Sequence, residues 1–331
     1  MHSNPLSARV SLCLSLFGLF LPALPTSLRA VSTAEVSTVK PGSAIDLSMV
    51  KPLFKKQNRV VVAGYQVSFV THNKATAHAM NVLGSGTAKA SIETFLGNVD
   101  QALMKQIADE AYAVFLKKLA EAGVEVVPWE TVKASKAYAA LERHPQQNGY
   151  TVKFQGATYA VIPAADFPLW FNNYDGLAGG KGSSRNIKVM ADLAKELDAA
   201  VIQPSLAVDF AYLDTSGGKF AKRASVEAQN GMLIVPAASV FWGSVSGGLA
   251  YAKFTDGFWA EGATGKWTKA GASNNAALVK GLAGLGIDIG PASSKKAIVL
   301  DADPAIFKAK TLELLAGAGE LYKRAIQEVR R

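Results

Sequence analysis

Thirteen residues, YDGLAGGKGSSRN from Tyr174 to Asn186, combine four glycines, one lysine and two serines. That composition is the raw material of a loop that cradles phosphate. Such a loop needs a glycine, four residues, and then Gly-Lys followed by Ser or Thr. Gly180-Lys181 supplies the pair, but Asp175 stands where the first glycine belongs and Gly182 where the hydroxyl belongs. A carboxylate facing phosphate repels it, and a glycine cannot hold magnesium. The stretch therefore reads as a mobile glycine loop leading to a helix capped by Ser184. Its cations, Lys181 and Arg185, remain candidates for a modest anion site at the helix start, where free amides favour negative charge.

The other chemistry-bearing residues are sparse. His72 and His78 are six apart, so a strand separates them by roughly 20 Å. A helix would point them about 240° apart. Neither geometry makes a shared metal site, and no HExxH motif occurs. No metal, cofactor or catalytic residue is assigned. GSVSG (Gly243 to Gly247) fails as a serine-hydrolase elbow because Val245 stands at the nucleophile position. Asp303 before Pro304 suits a helix cap. Asp209 and Asp214, with His72 or His144, are the candidates for a hydrolase whose pairing is spatial. FPLWFNNY supplies Phe167, Trp170, Phe171 and Tyr174. These could line a binding groove, face a membrane or protein surface, or form an ordinary hydrophobic corner. With Lys181 and Arg185 they complete the list of candidate binding residues.

The elements that must position these residues follow a short leader. Residues 1–30 read as a secretory signal: a positive start with Arg9, the apolar run VSLCLSLFGLFLPAL, and a small-residue exit at Ser27 and Ala30. Cys13, the only cysteine, lies inside that run. Cleavage leaves a chain without disulfides or thiolate sites, held by its own core. The net charge is +9, and loss of two arginines and no acid leaves +7. That excess favours anionic surfaces such as lipid headgroups or acidic partners. An exported chain rarely meets nucleic acid, and none is expected as a partner.

Residues 31–58 read as an extended linker broken by Pro41 and Pro52. RVVVAGYQVSFV (Arg59 to Val70) is a buried strand by its β-branched content. SIETF (Ser91 to Phe95) is a second strand that folds back on it. Asp100 opens a helix to about Gly123, with Leu103, Met104, Ile107, Ala111, Phe115 and Leu119 on one stripe. VEVVPW is a short strand, and a helix follows to Glu142. Residues 150–164 form a hairpin or two short strands, and 185–198 a helix. Residues 199–214 are a long strand, TSGGK is a turn, and 222–242 give a further strand or two. Trp259 and Trp267 fall in an irregular, Gly-rich stretch. Helices are expected at 274–286 and from Pro304 to about Val329. This order is α/β (α+β): a mixed sheet flanked by helices, with extended β-hairpins, filling residues 59–331 with a subdivision near 145–185.

RVVVAGYQVSFV, the helix from Asp100 and LAEAGVEVVPWETVKAS together resemble the strand, helix, strand, helix start of the curli-export channel family. That start is also similar to the amino-terminal domain of the Tol–Pal translocation protein. LAKELDAAVIQPSLAVDFAYLD resembles the family's later helix and strand. Two stretches, SFVTHNKATAHAMNVLGSGTAKASIETFLG and VFWGSVSGGLAYAKFTDGFWAEG, stand where that family carries hairpins. Neither reads as a sustained membrane-spanning alternation, and the lipid cysteine of the family is missing. The resemblance implies a periplasmic or outer-membrane-associated α/β protein that works by contact in envelope assembly or secretion. Its partners would be envelope proteins, a membrane surface or copies of itself. It carries over no catalytic residue. A periplasmic hydrolase and a soluble anion-binding protein are the alternatives.

Overall fold

The computed structural model describes residues 31–35, 40–48, 50–80, 87–216, 225–245, 248–255, 257–270 and 297–331. The expected signal peptide with Cys13 and the expected helix at 274–286 lie outside them. The chain starts with β1 (Val31–Ser32), α1 (Pro41–Ala44), α2 (Lys51–Phe54) and β2 (Arg59–Val62). Next come β3 (Gln66–Met80), β4 (Thr87–Gly97), α3 (Gln101–Glu121) and β5 (Glu125–Val126). The middle holds α4 (Trp129–Ala134), α5 (Lys136–Ala139), β6 (Tyr150–Phe154), β7 (Ala157–Pro163) and α6 (Ser184–Leu197). Then follow β8 (Ala200–Ser216), β9 (Ser225–Ile234), β10 (Val240–Val245), β11 (Gly248–Lys253) and β12 (Phe258–Ala260). The last elements are β13 (Gly265–Lys269), β14 (Ala297–Ala302) and α7 (Pro304–Arg330).

Among the described residues the strands make one mixed sheet, ordered β1-β12-β9-β8-β3-β4-β14-β13, with the remaining strands joined at its sides. The fold is α/β, as the order of elements implies. Strand alternation divides the core. Val60 and Val62 of β2 enter a cluster with α3 and α7, including Phe115 and Tyr322. Val61 and Ala63 enter a second cluster with Val189, Leu193 and Trp242 on the α6 face. Successive residues of a strand point to opposite faces, so one apolar run serves both layers.

The helices form where local chemistry allows. The Asp100 carboxylate accepts from Leu103 N at 2.8 Å and opens α3. The Asp303 carboxylate accepts from Ala305 N and Ile306 N, and Pro304 sits in the first turn of α7. Met104, Ile107, Ala111, Phe115 and Leu119 of α3 are buried, as their spacing requires. Glu196 of α6 accepts from Ser135 Oγ, Lys136 N and Ala137 N at 2.9–3.0 Å, tying α5 to α6. Among the described residues no helix is long and apolar enough to cross a membrane.

The structure departs from the sequence reading at four places. Residues 41–54 are not an extended linker: Ile45, Val50, Leu53 and Phe54 are fully buried in the main core. The helix expected at 129–142 is two, because Ser135 is extended and its Oγ accepts from Tyr138 N to start the second. Trp259 and Trp267 lie in strands, β12 and β13. Residues 145–185 are not set apart, since Tyr150, Tyr159, Phe167 and Leu177 belong to the same core as α3 and α7.

Two long hairpins leave this body. β3 runs parallel to β8 from Gln66↔Ser205 to Phe69↔Val208. It then pairs with β4 from His72↔Phe95 to Met80↔Thr87. β8 pairs onward with β9, as far as Ser216↔Ser225. Beyond the split, β4 and β9 touch without sharing a ladder. The two hairpins face each other across a small cluster of Ala77, Ile92 and Val226, with Ala75, Ala90, Leu213 and Ala228 against it.

Candidate functional site

The aromatic run and glycine loop are not one site. Trp170 is fully buried, and its Nε1 donates to Ala63 O at 3.1 Å. Tyr138 OH donates to the same carbonyl at 3.0 Å. Together they fill the acceptor at the break between β2 and β3. Phe171 is also buried, edge-on to His144 and Tyr150. Neither ring offers surface to a ligand. Tyr174 is 66% exposed and stands apart from them. Phe167 is buried against Tyr112 and Trp129, yet it also lines a groove.

The loop is packed rather than mobile. Asp175 is buried and accepts from Leu177 N at 2.9 Å and Trp242 Nε1 at 3.2 Å. Burial pushes its pKa up to about 6 against those bonds. Tyr150 OH donates to Leu177 O. A side chain at Gly176 would overlap Phe154, and one at Gly182 would overlap the Asn172 carbonyl. These glycines serve close approach and not phosphate. Ser183, one residue before the expected Ser184, caps α6 by accepting from Arg185 N. The Arg185 guanidinium meets Glu142 at 3.4 Å. Lys181 and Arg185 are both exposed. An anion at this helix start would therefore have the Glu142 carboxylate as a neighbour.

Asp209, His72 and His144 do not come together as a hydrolytic set, and the Asp214 side chain lies outside what the structure describes. Asp209 sits where β8 leaves β3. Its Oδ2 accepts from Asn73 Nδ2 at 2.8 Å and its Oδ1 from Ala211 N at 3.2 Å. Burial raises its pKa to about 7 despite these bonds. His72 and Asn73 are consecutive in a strand, so the imidazole leaves the face opposite Asp209. It stacks on Phe95 at 4.6 Å. Burial lowers its pKa, Glu93 opposes that shift, and Lys153 and Lys74 add to it. His144 stacks on Tyr150 at 4.1 Å and its Nδ1 faces the backbone of Gln146. Among the described residues no three His, Cys, Asp or Glu side chains are grouped to hold a metal.

What the structure does assemble is a groove of about 1090 Å³. The start of α3 gives Gln101 and Lys105, α4 gives Trp129 and Lys133, and α5 gives Tyr138. Arg143, Gln147 and the segment 163–168 close it. Trp129 packs edge-on to Phe167 at 4.6 Å and to Tyr138 at 5.3 Å. Of the candidate binding residues named from sequence, Phe167 alone belongs to this groove. Trp129, Tyr138 and Arg143 carried no motif, because they converge only through the fold.

Four strand edges at the hairpins form the other open feature. Among the described residues, 75–80 of β3 and 87–92 of β4 have no strand neighbour outside their own hairpin. The same holds for 210–216 of β8 and 226–231 of β9. No family model, curated protein or solved structure matches the chain.

Proposed function

We propose that the protein is an exported envelope protein that works by contact, in assembly or secretion. The observation that supports this reading is the pair of long hairpins whose strand edges, among the described residues, lack neighbours outside their own hairpin. Unpaired edges are templates for pairing with another chain. Soluble proteins ordinarily blunt such edges, so two facing hairpins with open edges favour a partner. Copies of the same chain, or an extended segment of an envelope protein, would complete the ladders. The basic charge suits an anionic membrane surface beside that assembly. The resemblance to the curli-export channel family points the same way.

The test uses the chain purified from residue 31 onward and a variant with residues 76–91 replaced by a two-residue Asn-Gly turn. Light scattering after size exclusion should show oligomers or a captured envelope partner for the first. The second should keep the body fold by circular dichroism and lose the association. A strict monomer that captures no envelope partner would sink the proposal.

A further inference from the structure

The groove beside α3 has the features of a ligand site that nothing in the hairpins explains. Its floor is aromatic, from Trp129, Tyr138 and Phe167. Its volume of about 1090 Å³ compares with pockets that take drug-sized ligands. Its walls are held before any ligand arrives. Gln101 Nε2 donates to Asn148 O at 2.7 Å. Gln147 both donates to and accepts from the Leu169 backbone, at 3.1 and 3.0 Å. Lys105 Nζ donates to Ala165 O at 3.1 Å, and Ala165 N donates to Asp109 at 2.6 Å. Ala165 itself has φ of 47°, a left-handed conformation unusual for a residue with a Cβ. Strained backbone of this kind collects at ligand clamps.

Charge narrows the occupant. Three cations line the groove. Lys105 is paired with Asp109 and Lys133 with Glu130 at 2.6 Å. Arg143 is exposed and has no carboxylate partner among the described residues, and its charge bears on the Tyr138 phenol. Of the two lining acids, Asp100 is committed to the amide of Leu103 and Asp166 is exposed to solvent. The Lys133 ammonium already lies 5.8 Å from the Trp129 ring centre, so a second cation there would be repelled. We propose that this groove binds a small organic carboxylate with a flat apolar body, the carboxylate on Arg143 and the body over Trp129 and Phe167. A planar guanidinium suits a carboxylate through two parallel hydrogen bonds.

Calorimetric titration with 2-naphthoate, 2-naphthalenemethanol and 2-naphthylmethylammonium tests it, since the three share a body and differ in charge. Naphthoate should bind tightest and the ammonium weakest. Arg143→Gln should weaken naphthoate about tenfold, as loss of a charged hydrogen bond does, and leave the alcohol unchanged. Trp129→Leu should weaken all three. Lys266→Gln, on exposed β13 away from the groove, should change nothing. Thermal melts of each variant separate lost binding from lost fold. Equal affinity for the three probes, preference for the ammonium, or an Arg143→Gln protein that binds naphthoate as wild type would overturn the assignment. The hairpin proposal would survive any of those results, because no hairpin residue lines the groove.

Discussion

Asp209→Asn isolates the buried carboxyl at the base of the hairpins. Its two acceptor bonds, from Asn73 and Ala211, favour the charged form, but burial outweighs them and brings the pKa to about 7. An unfolded aspartate titrates near 3.9, so the folded protein holds a proton that the unfolded chain has released. The sign follows: stability from this group is complete below about pH 4 and is lost as pH rises toward about 7. From pH 5 up to its pKa, about two units, the folded carboxyl keeps a proton that the unfolded chain has lost. At about 1.4 kcal/mol per unit this amounts to about 3 kcal/mol. Asparagine has the shape of the protonated acid and cannot ionise. The difference in unfolding free energy, wild type minus Asp209→Asn, should therefore fall by about 3 kcal/mol from pH 5 to pH 8. Urea titrations followed by tryptophan fluorescence at each pH measure it. His72, His144 and Asp175 also titrate, but they do so in both proteins and cancel in the difference. A difference that stays flat, or that rises with pH, would refute the reasoning.

Two further substitutions probe the core and the loop. Tyr322 stacks on Phe241 at 4.0 Å, yet its buried hydroxyl has no hydrogen-bond partner among the described residues. Tyr322→Phe should be neutral or stabilising by up to about 1 kcal/mol, and Tyr322→Ala should cost about 3–5 kcal/mol, both read from denaturation midpoints. Gly182→Ala drives a methyl into the Asn172 carbonyl and should cost about 1–3 kcal/mol. Exposed Lys181→Ala should stay within about 0.5 kcal/mol. Equal effects at 181 and 182 would contradict the packed-loop description.

Elements with a strong local signature were legible from the sequence. The α3 stripe, its Asp100 cap and the Asp303 cap of α7 follow from spacing and side-chain chemistry alone. The long strand from Ala200 and the return strand were also readable, while most of the turn expected at TSGGK lies outside the described residues. The first hairpin was visible as a fold-back, but its alternation was not. Lys74, Thr76 and His78 alternate with Ala75, Ala77 and Ala79, and Lys89 and Ser91 with Ala90 and Ile92. Alanine is too weakly apolar for that pattern to register, although Ala77 is buried. Residues 41–54 were misread for a related reason: Pro41 and Pro52 signal a break, and in the fold each starts a single helical turn that buries Ile45, Val50, Leu53 and Phe54. The aromatic run stayed open between a groove, a surface and a hydrophobic corner because eight residues with no period do not reveal which rings turn inward. Trp170 turns inward because its indole donates to the Ala63 carbonyl. The groove had no signature at all, since its residues span positions 100 to 168 and meet only when α3, α4 and α5 are in place.

The position of α7 in the chain has a consequence for the order of events during synthesis. Its buried face, from Phe307 through Leu314 and Tyr322 to Ile326, covers α3, β9, β12, α1 and α2 together. Until residues near 326 have been made, the apolar faces of all these elements lack their cover, and the main core cannot close. A ribosome-bound chain would stay unfolded through most of its length. That is the state in which a chain passes through a translocation channel, so under the export proposed above a late-made closing helix would keep the chain threadable.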